Sequence, residues 1–163
     1  MKKKYYFILL GIILVTATFY ILLGKGGMDP RVVVEAYDKE WGIVIPNPTE
    51  EKAVFASEAN DDGHGQWLTV YSYEEQADFS NSNMELVTEE KRVFYNKKIQ
   101  KFEQDTFSAY SKKAQKDMEL AFEDHHLKVK KGDYAFYKKK EDGQSYFIAI
   151  YSNKELYTYN WHE

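Results

Sequence analysis

Nineteen consecutive residues, Tyr5 to Leu23, carry no charge, and three lysines (Lys2, Lys3, Lys4) stand directly before them. As a helix this run would be about 28 Å long at 1.5 Å per residue, close to the ~30 Å hydrocarbon thickness of a bilayer. The run therefore divides the 163-residue chain into a leading segment, 1–27, and a body, 28–163. Two readings fit the leader. It is a retained transmembrane anchor, with Tyr5, Tyr6 and Tyr20 suited to interfacial depth. Alternatively it is a cleaved signal peptide with Val15 and Ala17 before the cut, although the apolar run continues past Ala17 and exceeds the usual signal core. In both readings the lysine cluster stays cytoplasmic and the body faces outward.

Charge sharpens the division. The chain has a formal net charge of −4, but all 26 acids follow Lys25, where only 18 of the bases lie. An acidic body repels phosphates, so nucleic acid is not an expected partner, whereas a basic peptide would be steered toward it. No cysteine is present, which removes disulfides, thiol catalysis and thiolate metal sites.

The body reads as α+β, an antiparallel sheet of about five strands packed on one face by a long helix or helix pair. A first helix is expected from Pro30, with Asp29 as N-cap, to Gly42 at the left-handed C-terminal position. "EKAVFASE" and "QWLTVYSY" alternate as strands. From Ser82 to Lys131 there is neither glycine nor proline, which predicts helix over about 83–127. Ser82–Glu85 can form a capping box, and Thr88 is an alternative start. One helix of that length would overrun the domain, so a break is expected near "EQDTFS", with Asp105 capping a second helix and Gly132 stopping it. The end of the chain reads as a three-stranded meander turning at Asp142-Gly143 and Asn153-Lys154. Its middle strand has Phe147, Ala149 and Tyr151 on one face and Tyr146, Ile148 and Ile150 on the other, which makes it central.

Candidate chemistry concentrates in "NDDGHGQW", residues 60–67. Asp61, Asp62 and His64 are ligand types for a divalent cation or members of an acid/base set, but their spacing matches no motif of known geometry. The same residues also describe a polar hairpin loop with Gly63 and Gly65 at positive φ. His125 and His126 are adjacent, so on a helix they diverge by about 100° and cannot share a metal. His162 is expected to fray. Glu58 with Asp61 could serve glycan hydrolysis, yet nothing distinguishes that pair among the acids. No nucleophile elbow, S-x-x-K or phosphate-binding glycine loop occurs, and no cofactor is expected. In "ELYTYNWHE", Tyr157, Tyr159 and Trp161 share one strand face; such a row suits either a recognition surface or the core under the helices.

The stretches "WGIVIPNPTEEKAVFASEANDDGHGQWLTVYSYEE" and "SYFIAIYSNKELYTYNWHE" resemble short membrane-anchored or secreted proteins of Gram-positive bacteria. These carry a helix, a G-I-x-x-P segment, a histidine-glycine loop between strands, further helices and a terminal meander. That group's commoner loop is H-G-D-G, where this chain has His64-Gly65-Gln66. The resemblance implies fold and an envelope location, with no agreed activity to carry over. The expectation is an outward-facing binding module that engages a basic peptide or toxin or joins an envelope complex. The alternatives are a metal- or carboxylate-dependent wall hydrolase using the 60–67 loop, or a structural envelope component.

Overall fold

The computed structural model describes residues 30–57, 65–110 and 112–163. In chain order the elements are α1 (Pro30–Trp41), β1 (Glu50–Ala56), β2 (Gly65–Ser72), β3 (Glu85–Leu86), α2 (Glu89–Ser108), α3 (Lys112–Asp124), β4 (Tyr134–Lys139), β5 (Tyr146–Ser152) and β6 (Glu155–His162). The strands form one antiparallel sheet in the order β1-β2-β6-β5-β4-β3. The α+β class is as expected, with six strands in place of about five. Among the described residues no helix is long and apolar enough to cross a membrane, and Tyr5–Leu23 lies outside them.

The extra strand and the helix boundaries correct the reading of 83–127. Glu85 and Leu86 pair with Ala135 and Tyr134 instead of opening a helix. The helix starts at Glu89, where the Thr88 hydroxyl accepts the Lys91 N–H at 3.3 Å. Asp105 caps nothing: it lies inside α2 and takes the Lys101 ammonium at 2.5 Å. The interruption falls just after Ser108, and α3 ends at Asp124.

What overrides helix propensity from His125 onward is tertiary bonding of the backbone. Asn96 clamps Val129, accepting its N–H at 3.1 Å and donating to its carbonyl at 3.2 Å. Val87 then exchanges backbone hydrogen bonds with Asp133 (2.8 Å) and Gly132 (3.0 Å). Gly132, at φ +95°, turns the chain into β4 rather than stopping a helix.

All seven residues of β5 are buried. Successive side chains alternate faces, so the sheet must be covered on both sides, not on one. Tyr146, Ile148 and Ile150 join Leu68, Tyr95, Ile99, Phe102, Phe122 and Tyr159 in the core beneath α2 and α3. Phe147, Ala149 and Tyr151 join Val33, Trp41, Ile43, Tyr71 and Leu156 beneath α1 and the chain that follows it. Gly42, at φ +67°, closes α1 by donating to the Asp38 carbonyl at 2.8 Å. The Tyr37 hydroxyl pins the helix to the sheet through hydrogen bonds with the Tyr71 hydroxyl (3.0 Å) and Thr158 Oγ1 (3.1 Å). Burial raises the pKa of both tyrosines, so the network stays protonated.

The turns fall where expected. Asn153 and Lys154 have φ of 53° and 68°, and Asp142 Oδ1 accepts the N–H groups of Gln144 (2.7 Å) and Ser145 (2.9 Å) ahead of β5. β1 and β2 pair antiparallel with a bulge between Ala53 and Phe55.

Phe147 is fully buried, so Phe147→Ala is expected to cost about 3–5 kcal/mol in urea unfolding, against about 1 kcal/mol for Thr88→Ala, which removes only a cap.

Candidate functional site

The register of the sheet sets Lys139, Tyr146, Trp161 and Gln66 in one line across β4, β5, β6 and β2. Register partners point to the same face, here the face under α2. Lys98, Lys101 and Asp105 recur along one side of α2 at helical spacing. The helix and the strand ends enclose a cleft of about 280 Å³. Tyr137, Tyr146 and Trp161 line its sheet side, Lys98, Lys101 and Asp105 its helix side, and Gly143, Gln144, Lys139 and Glu163 its open end.

The aromatic side is rigidly packed. The Tyr146 and Trp161 rings stack at 5.9 Å with planes 5° apart, and Tyr137 flanks Tyr146 at 6.4 Å. Phe102 meets Trp161 edge-on at 6.3 Å from behind. Lys98 Nζ lies 4.1 Å from the Tyr137 ring centre and 5.1 Å from that of Phe94, within cation–π range.

The polar groups divide into committed and uncommitted ones. Asp105 is paired with Lys101, and Glu163 accepts the Trp161 indole N–H at 3.3 Å. Among the described residues Lys98 and Lys139 form no ion pair. Tyr146 is 7% exposed, and its hydroxyl is buried without a hydrogen-bond partner. Burial raises its pKa, and the charges of Asp105, Tyr137 and Glu163 add to the rise. The hydroxyl thus keeps its proton, lies near other cleft groups and bonds to none of them. An unmet buried donor costs about 1–3 kcal/mol.

Two further clusters flank the sheet. Between α2 and α3, Phe107 and Phe122 floor an open groove of about 460 Å³ edged by Glu103, Glu119, Glu123 and His126. Burial pushes the Glu103 carboxyl up, while His126 Nδ1, 3.6 Å away, pulls it down. On the opposite face of the sheet, His162 is held and does not fray. Its ring sits 5.4 Å from Trp41 and 5.7 Å from Trp67, and its Nε2 is 2.9 Å from Glu40 Oε1. Lys140 reaches the same carboxylate oxygen at 2.9 Å and lies over Trp41.

Of the residues singled out in the sequence, Asp61, Asp62 and His64 lie outside the described residues, as does Glu58. Among the described residues no group of three or more His, Cys, Asp or Glu side chains could hold a metal. Tyr159 is 1% exposed and belongs to the core beneath α2. Tyr157 is half-buried, its hydroxyl donating to Glu155 at 2.7 Å. Trp161 alone of that row lines the cleft. The histidine pair lies just past the end of α3 and not on it, and the two rings diverge, His125 toward Ala121 O and Lys52, His126 toward Glu103. Sequence reasoning passed over Tyr146, Tyr137, Lys98 and Lys139. Lys98, Lys101 and Asp105 recur at helical spacing, but the expected break with Asp105 as a cap separates Asp105 from the two lysines, and nothing local says which strand they face. Comparison with models of protein families, with curated proteins and with solved structures finds no match to this chain.

The raised Glu103 pKa has a definite sign. Protonated Glu103 tolerates burial, so its share of stability is full below the ordinary carboxyl value of 4.5 and is lost as pH rises through the raised folded value. Glu103→Gln is therefore expected to gain stability relative to the wild type as pH rises above the ordinary carboxyl value of 4.5 in urea titrations.

Proposed function

We propose that the chain is a binding module tethered at the outer face of a cell membrane, and that it takes its ligand in the aromatic cleft between α2 and β4–β6. The apolar run Tyr5–Leu23, the lysines before it and the acidic body after it support the tether and its direction. The buried hydroxyl of Tyr146, aligned with a stacked tryptophan and unpaired lysines, carries the choice of site. Ligand sites combine an apolar, aromatic lining with a few convergent polar groups, and this cleft has both. At about 280 Å³ it lies just below the ~300–1,000 Å³ range of drug-sized ligands, which suits a small molecule or one residue of a longer chain.

A second reading, engagement of a basic peptide or toxin, draws on the other groove. Three glutamates around Phe107 and Phe122 complement a cationic, partly apolar segment.

A photo-crosslinking side chain placed at Gln144 in the full chain, and separately at Glu119, tests the two sites in living cells. Labelling of an envelope component from Gln144 and not from Glu119 is expected. Labelling of a basic peptide from Glu119 alone would move the site to the helix groove. External protease should digest the body in intact cells, and a body protected until lysis would overturn the outward tether.

A further inference from the structure

We propose that the cleft recognises an oxyanion, a carboxylate or phosphate on a small ligand, held by Lys98, Lys139 and the Tyr146 hydroxyl; this rests on the cleft being the binding site. Each carboxylate in the cleft already has a donor: Asp105 has Lys101, and Glu163 has the Trp161 indole. What is left over donates. Lys98 is drawn over the faces of Tyr137 and Phe94, Lys139 has no carboxylate partner among the described residues, and Tyr146 holds a proton that nothing accepts. A set of uncommitted donors demands an acceptor, and an ionised acceptor gains most, since hydrogen bonds to charged groups are about twice as strong as neutral ones.

The enclosure makes the demand specific. The hydroxyl is buried, so water meets it poorly, and a ligand oxygen that reached it would recover the cost of leaving it unmet. Lys139 and Tyr146 are register partners on adjacent strands, so both donors approach from the sheet, while Lys98 descends from α2. Three donors from two sides suit a tetrahedral or trigonal oxyanion better than a neutral hydroxyl. The body as a whole is acidic, whereas in the cleft lining Lys98, Lys101 and Lys139 stand against Asp105 and Glu163, so the local field is less acidic than the global one.

The experiment follows the Trp161 indole resonance of the full chain in a neutral detergent while inorganic phosphate, glucuronate or glucose is added. Phosphate and glucuronate are expected to shift it saturably and glucose to leave it unmoved. Phosphate alone would assign the bare anion, and glucuronate with the tighter response would assign a carboxylate on a ring. Tyr146→Phe, which keeps the ring stack, should weaken the bound anion about tenfold or more, the size of one hydrogen bond to a charged group. Lys98→Met with Lys139→Met should abolish saturation, and the affinity should fall as salt rises. Saturation by glucose but by neither anion would overturn the oxyanion while leaving a binding cleft. An anion response unchanged in both variants, or no saturable response from a folded chain, would overturn the proposal outright. The crosslinking result at Gln144 stands or falls separately.

Discussion

Seven consecutive residues of β5 are buried, and a strand alternates its side chains between two faces. A strand of this kind cannot lie at a solvent surface on either side. It forces one helical layer onto each face of the sheet, α2 with α3 on one and α1 on the other. The two layers are held differently. α1 is fastened through a hydroxyl network from Tyr37 to Tyr71 and Thr158, whereas α2 rests on aromatic packing around Phe102.

The cleft is a by-product of that arrangement. Tyr146 is the first residue of β5, where the strand's burial meets the end of the sheet. Its ring stacks on Trp161 in the wall of the cleft, and its hydroxyl is buried there without a partner. Buried and without a hydrogen-bond partner, it is a polar group whose desolvation nothing in the empty cleft offsets. Such groups are expected at sites where local consistency gives way to function.

Much of this fold is visible in the amino-acid order because its signals are local. Asp142-Gly143 and Asn153-Lys154 announce turns, Thr88 announces a helix start, and the alternation from Tyr146 to Tyr151 announces a strand apolar on both faces. The failures share one cause. β3 is two residues long and exists only because β4 pairs with it; the segment after His125 leaves the helix because Asn96 and Val87 bind its backbone. Glycine-free sequence permits a helix and does not compel one. The candidate site was less legible still. Trp161 is visible as an aromatic of interest, but nothing in the sequence singles out Lys98, and the line Lys139-Tyr146-Trp161 is a product of register across three strands. Net charge points to a cationic partner, and a sum over the body carries no record of Lys98 and Lys139, which form no ion pair among the described residues.

On the proposed oxyanion site, the Tyr146 hydroxyl is a burden to the empty protein and an asset to the occupied one. The most direct measurement is the unfolding free energy of wild type against Tyr146→Phe, taken first without ligand and then with saturating glucuronate or phosphate. The account predicts that the phenylalanine variant is the more stable when empty and the less stable of the two when ligand is present. The same ordering in both conditions would contradict it.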